Sequence, residues 1–252
     1  MREFFLTASA WQIVIAGTVF FAGIYLIYGC LTRLLTERLL PAWGIGQKLD
    51  PRPLTKGQWQ REVGLSLSSI LIFGVGLLLP WGFLQLGWVN LALEPSVMQV
   101  ILEILALLFW NEVHFYITHR LLHTPWLRQF HLAHHRSVVT TPWSTYSFHP
   151  VEAMLLGNVI VWPMWVHDFS IAALITLPLL SLLFNSIGHS NYEIYPHGTK
   201  PWFQASRRHH LHHACFKGNF GFMFAFMDRL LGTSLPDDAA APQLEKWHAR
   251  QS

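Results

Sequence analysis

Five apolar stretches divide this chain. The first, residues 11–28, holds no charged side chain and, at about 1.5 Å of helical rise per residue, is long enough to cross most of a ~30 Å hydrocarbon layer. The second covers residues 63–88, and the third begins after Pro95 and continues to Thr118; the turn between them, Gly87 to Glu94, lacks Lys and Arg. The fourth, residues 151–166, and the fifth, residues 169–188, join at His167-Asp168 and lie near the minimum length for a crossing, so they read either as two spans or as a hairpin that does not fully cross. The first stretch reads as a retained span. Its small-residue run Ala8-Ser9-Ala10 precedes the apolar residues instead of following them, and Ile27-Tyr28-Gly29-Cys30 only weakly resembles a lipoprotein cleavage site.

Composition supports the same reading. Of the 252 residues, 12% are charged and 52% hydrophobic, too few charges to clothe a soluble globule and too many apolar residues for a disordered chain. The net charge of +3 raises the question of nucleic acid, but the basic residues fall in loops flanking the apolar stretches and form no stripe interleaved with aromatics, so no nucleic-acid partner is expected. Threading five spans alternately puts residues 30–62, 119–150 and 189–252 on one side, with 16 of the 17 Lys and Arg residues. That side is cytosolic by the positive-inside rule, and the N-terminus faces out. The expected location is a bacterial inner membrane or the endoplasmic reticulum, as a multi-pass protein. Residues 236–252 read as a polar tail.

Fifteen histidines point to a metal site, and the two cysteines, Cys30 and Cys215, are too few for a sulfur-ligated cluster. Nearly all the histidines fall on the cytosolic side, with His114 inside the third stretch and His167 in the outer turn. His119 and His123 stand four apart and share a helix face. His131, His134 and His135, and again His209, His212 and His213, stand at i, i+3 and i+4, and each trio is expected to aim three imidazoles at one point from one helix turn. Eight imidazoles in a small volume are hard to satisfy without a metal, because each neutral ring must place both a donor and an acceptor. His210, between two of these positions, is expected on the surface. Glu103 and His114, polar groups deep in the third stretch, read either as lining a substrate route or as shielded against neighbouring helices.

The segments EVHFYITHRLLH (Glu112 to His123), HLAHH (His131 to His135), His149-Pro150-Val151-Glu152, Gly188-His189-Ser190-Asn191, HHLHH (His209 to His213) with Asn219-Phe220-Gly221 beyond it, and Asp228 to Thr233 together resemble the fatty acid hydroxylase / sterol desaturase superfamily. The resemblance covers about residues 95–233. It implies an all-α integral membrane fold: a transmembrane helical bundle under a His-rich cytosolic cap that houses a di-metal site. It divides the chain into N-terminal spans within residues 1–94, a catalytic core at 95–235 and the tail. It further implies two non-haem iron ions, O2 as co-substrate and a lipid, fatty acyl or sterol-like, as substrate to be hydroxylated or desaturated.

Carried over by motif, the resemblance makes His119, His123, His131, His134, His135, His189, His209, His212 and His213 the iron ligands, and leaves a tenth position open to Glu193, His149, His197 or a water. Glu112 and Tyr116 form a stripe with His119 and His123 at i, i+4, i+7 and i+11, from which Glu112 is expected to hydrogen-bond a ligand imidazole; Asn219 is a further supporting candidate. The run Thr141-Pro142-Trp143-Ser144 with Phe148-His149-Pro150 leans toward the sterol C5-desaturase branch. The chain carries no G-x-G-x-x-G fingerprint, so a separate electron donor of ferredoxin or cytochrome b5 type is expected to dock on a basic face formed by Arg128, Arg136, Lys200, Arg207, Arg208 and Lys217. Two other classes remain: a membrane zinc hydrolase, which would need three or four ligands and not nine histidines, and a metal transporter, whose ligands belong near the membrane midplane.

Overall fold

A computed structural model of the chain describes residues 2–194 and 204–249. His197 and Lys200 lie outside the described residues. A short helix α1 (Arg2–Thr7) leads into α2 (Ala10–Leu34), which Ser9 caps by accepting from the Gln12 amide while the Gln12 side chain accepts from the Ser9 amide. A π-helical turn, Leu35–Leu39, carries α2 on to Ala42, so the apolar rod is 33 residues long. Helix α3 (Gln58–Gly76) continues almost unbroken into α4 (Leu78–Gln85), and Ser96 caps α5 (Val97–Leu122). Beyond α5 come α6 (Arg128–His135), α7 (Pro150–Gly157), α8 (Val161–Met164) and α9 (Ile171–Gly188), then α10 (Ala205–Cys215), α11 (Phe226–Leu230) and α12 (Ala241–His248).

Four of these rods are long and apolar enough to cross a membrane: Ala10–Ala42, Gln58–Gln85, Val97–Leu122 and Ile171–Gly188. Only 28–33% of each apolar window is buried inside the protein, so most of the apolar surface faces outward. Lipid is the solvent that accepts it. The fold is therefore that of a helical membrane protein, and α2 and α3 approach closely where a Cβ on Gly74 would stand 2.1 Å from Thr18 Oγ1 and 3.0 Å from the Thr18 backbone nitrogen.

The expected fourth span is not one helix. Residues 150–164 form α7, a 3₁₀ turn at Asn158–Ile160 and α8. Pro163 has no N–H to offer the carbonyl four residues back, and that carbonyl, on Val159, accepts instead from the Trp110 indole at 2.7 Å. The broken segment still connects the two ends of the bundle. At one end Gln85 donates to the carbonyls of Phe5 and Leu6, and Glu103 accepts from the Ser170 amide at 2.8 Å and meets His167 Nε2 at 3.0 Å. Glu103 thus staples the turn before α9 to α5 at the end opposite the histidine cap, and it lines no route to that cap. At the other end a two-residue antiparallel ribbon, β1 (Gln47–Lys48) with β2 (Tyr192–Glu193), ties the loop before α3 to the chain just beyond His189. Asn191 closes this contact, accepting from the Asp50 amide and donating to its carbonyl, both at 2.9 Å.

Candidate metal centre

The histidine cap is assembled from four helix ends. His119 lies in the last turn of α5 and His123 caps it; α6 and α10 supply a trio each, and His189 caps α9. Nine histidines come together in two groups, within each of which one nitrogen per ring lies within 4.8 Å of the others: His119, His123, His131, His135 and His212 in one, His134, His189, His209 and His213 in the other. Each trio therefore serves two points, not one. On α6 the i and i+4 rings join the first group and the i+3 ring the second; on α10 the i and i+4 rings join the second and the i+3 ring the first. Positions i+3 and i+4 lie about 100° apart around a helix, enough to face two neighbouring centres. The α6 and α10 trios interlock.

The second ring nitrogen of several histidines fixes what the first one offers. His119 Nδ1 lies 2.9 Å from the Phe220 carbonyl and His212 Nδ1 2.6 Å from the Gly218 carbonyl. A carbonyl only accepts, so both Nδ1 atoms carry the proton and both Nε2 atoms present lone pairs. His131 Nδ1 donates to Glu152 Oε1 at 2.7 Å. Ser144 spends its hydroxyl hydrogen on the Thr141 carbonyl at 2.7 Å, so its oxygen accepts from His189 Nδ1 at 2.8 Å. The inward Nε2 atoms then face one another: His119 and His131 at 3.1 Å, His189 and His209 at 2.7 Å. The two lone pairs of His119 and His131 so placed repel unless a cation lies among them, and the nine-histidine donor set fits a pair of metal ions. Burial pushes His123 and His189 down to about 3 and His131, His134, His135, His209, His212 and His213 well below the usual histidine range. The rings are held neutral, the form that binds metal.

The chain reverses sharply to deliver the two carbonyls. Phe216, Gly218 and Asn219 all take left-handed backbone conformations, with φ of 56°, 60° and 47°, and the ring of Phe216 packs on His123 and His135. Asp228 accepts from the Phe220 and Gly221 amides, each at 2.8 Å. Glu112 accepts from the amides of Phe222, Met223 and Phe224 at 3.0–3.1 Å and touches no ligand imidazole, contrary to the stripe expectation. Its carboxylate holds the loop that carries Phe220. Tyr116 meets Thr233 Oγ1 at 3.0 Å, and Asn219 donates to the Arg208 carbonyl and accepts from the Leu235 amide. Both organise this loop at one remove from the rings.

Neither described candidate for a tenth ligand reaches the groups. Glu193 is engaged by Arg207, and His149 caps α7 by accepting from the Val151 amide. His210 is buried, not on the surface, with its Nε2 3.8 Å from Asp50 Oδ2. Arg207 and Arg208 are likewise turned inward, Arg208 donating to the Met223 carbonyl, while Arg128, Arg136 and Lys217 are exposed. The partners that do reach the rings, Glu152 and Ser144, stand in the sequence within His149-Pro150-Val151-Glu152 and Thr141-Pro142-Trp143-Ser144, runs that carry the family resemblance and assign neither residue a role. Beside rings of both groups lies a cavity of about 10 Å³, room for one water, lined by Phe115, Leu122, Phe148 and Leu156 together with Glu152 and Asn185.

An apolar helical bundle capped by two interlocked histidine groups defines a class: membrane proteins with histidine clusters at one face that could hold metal ions. The family model for fatty acid hydroxylase matches residues 104–233, and the chain belongs to that family, within the fatty acid hydroxylase / sterol desaturase superfamily. It is 27% identical over 239 residues to a Delta(7)-sterol 5(6)-desaturase of Saccharomyces cerevisiae, covering 89% of this chain and 64% of that protein. It is 26% identical to a putative methylsterol monooxygenase of Dictyostelium discoideum (75% of this chain, 73% of that protein), and 25% identical to the lathosterol oxidase of Homo sapiens (71% and 62%). The chain spans slightly under two thirds of the length of two of the Delta(7)-sterol 5(6)-desaturases it matches. No solved structure matches it.

Proposed function

We propose that this protein is an O2-dependent membrane lipid hydroxylase or desaturase whose nine clustered histidines hold two iron ions, the first group taking one and the second the other. The observation that carries the reading is the set of proton-bearing Nδ1 atoms on His119, His131, His189 and His212, which turns their Nε2 lone pairs into the two groups as donors for a cation. When bound, such a pair would supply electrons that convert O2 into an oxidant able to remove hydrogen from an unactivated C–H bond. The protein does the rest. Phe115, Leu122, Phe148 and Leu156 set apolar side chains beside the rings, where they keep water from the reacting carbon. Glu152 and Ser144 keep His131 and His189 in the metal-binding tautomer, and Glu112 and Asp228 hold the loop whose carbonyl does the same for His119.

The sterol-directed relatives and the 141–150 run favour a sterol-like substrate over a simple fatty acyl chain. In this reading residues 95–235 are the catalytic core, the spans within 1–94 anchor it, and the histidine cap faces the cytosol with the N-terminus outside. Nine donors in groups of five and four exceed the three or four of a zinc hydrolase, and their place at one end of the bundle is unlike a transporter's midplane site. The test is metal analysis of protein made with iron available, joined to O2 uptake with candidate lipids. Close to two irons per chain and substrate-dependent O2 consumption are expected; one zinc per chain and no O2 uptake would overturn the proposal.

A further inference from the structure

Helix α3 is apolar along most of its length, yet one face carries Gln58, Glu62, Ser66 and Ser69, all fully buried. Their spacing of i, i+4, i+8 and i+11 puts them on a single stripe. A carboxylate buried in an apolar helix is costly unless its oxygens are taken, and both are. Glu62 Oε1 accepts from Gln58 Nε2 at 2.8 Å and Oε2 from the Thr141 hydroxyl at 2.5 Å. Gln58, Glu62 and Ser66 of this stripe face one segment, residues 139–147. Gln58 also donates to the Val139 carbonyl at 2.8 Å, and Ser66 to the Trp143 carbonyl at 3.1 Å, which the Tyr25 hydroxyl of α2 reaches as well. That segment contains Ser144, whose hydroxyl is tied to the Thr141 carbonyl and whose oxygen accepts from His189 Nδ1.

We propose that Glu62 is a positioning residue for the second histidine group, acting on His189 through Thr141 and Ser144. The chain of contacts is continuous: the Glu62 carboxylate anchors the Thr141 hydroxyl, the Thr141 carbonyl orients the Ser144 hydroxyl, and the Ser144 oxygen fixes the tautomer and aim of His189. Ser144 could donate to His189 or accept from it; with its hydrogen committed to Thr141 it only accepts, so the His189 Nε2 lone pair points at His209. Glu62 stands outside residues 104–233, where the family model matches. An N-terminal span therefore takes part in shaping the metal centre, beyond serving as an anchor. The first group has its own supports in Phe220, Gly218 and Glu152 and does not depend on this relay. The inference rests on the two-metal reading.

The test is titration of the full-length, metal-free protein in detergent with cobalt(II), following the absorption of the histidine-bound ion, with the two binding phases assigned by His212→Ala for the first group and His209→Ala for the second. Glu62→Ala is expected to weaken the second-group phase about tenfold, the lower end of what loss of a supporting hydrogen bond does to a metal site, and to leave the first within about twofold. Thr141→Val is expected to do the same, and the double variant to be no weaker than either single one, since all cut one chain. Glu62→Gln keeps an acceptor for Thr141 and is expected to restore most of the affinity, which a space-filling role alone would not require. Equal weakening of both phases, or second-group affinity unchanged in Thr141→Val, would overturn the relay; the latter variant decides the matter if Glu62→Ala does not fold. Absence of cobalt binding by the unsubstituted protein would instead overturn the metal reading beneath it.

Discussion

A histidine ligand is made as much by the atom behind it as by its own ring. Glu152 is the clearest case: its carboxylate takes the proton-bearing nitrogen of His131, and both side chains are fully buried. Glu152→Ala is expected to lower metal affinity about 10–100-fold, as removal of such supports does, while Glu152→Gln keeps an acceptor oxygen and stays closer to the parent; metal titration separates the two. His134→Ala and His212→Ala are expected to empty different groups, each lowering the stoichiometry from about two toward one and abolishing turnover, whereas His248→Ala in the tail should change neither. The same burial makes the metal-free protein acid-sensitive. His123 and His189 are pushed down to about 3, so between about 6.5 and about 3 the unfolded chain binds protons that the folded chain refuses. Stability is full above about pH 6.5 and is lost as the pH falls through that window; a denaturation series in pH with flat midpoints from 7 to 4 would contradict it. Eight of the nine clustered rings were legible as motifs because helical spacing announces them, and His189 came only with the family resemblance. Their supports were not, since Glu112 was read along its own helix, where it shares a stripe with His119, while tertiary structure sends its carboxylate to amides 110 to 112 residues away.

Among the elements, the long rods followed directly from hydropathy, and the broken one did not. Residues 151–166 have the apolar character of a span, but Pro163 and the 3₁₀ turn at Asn158–Ile160 divide them, and only the neighbouring Trp110 shows how the freed carbonyl is satisfied. The ends of the bundle nevertheless keep the alternation that five crossings require, because Glu103 meets His167 and Ser170 at one end while His189 enters the cap at the other. A cysteine at Lys56 is accordingly expected to react with an impermeant reagent only from the side of the histidine cap, and one at Asn90 only from the opposite side; labelling of both from one face would refute the threading. The α2–α3 crossing is a close contact between rods. Gly74→Val would drive methyl groups into the Thr18 backbone, against which even a Cβ stands too close, at a cost of about 1–3 kcal/mol by overpacking. Because α3 carries the stripe that holds residues 139–147, metal retention at the second group should fall with it, read as a lower thermal midpoint together with partial metal loss.

For the molecule as a whole the open account is electrons. A hydroxylation by O2 consumes two electrons besides those taken from the substrate, and the chain has neither a dinucleotide fingerprint nor a cysteine cluster through which to collect them. The cap's outer rim suggests where they arrive. Arg128 and Arg136 flank α6 and are exposed, and exposed Lys217 follows Phe216, whose ring packs 4.5 Å from that of His135. A carrier seated on these three charges would stand one side chain from the first histidine group. Arg207 and Arg208, which the sequence alone would add to the same face, are committed to Glu193 and the Met223 carbonyl and are left out of it. An acidic carrier of ferredoxin or cytochrome b5 type is therefore expected to support turnover that NAD(P)H and O2 alone do not. Reversing the three charges, Arg128→Glu with Arg136→Glu and Lys217→Glu, should raise the KM for the carrier severalfold at low ionic strength and less at high, where screening has already removed the steering, with kcat at saturating carrier little changed. Topology and anionic headgroups also attract such side chains, and that role would leave the carrier's KM untouched. Turnover without any carrier would remove the need for a partner; carrier-dependent turnover indifferent both to salt and to the triple reversal would keep the partner and move its docking site elsewhere on the cap.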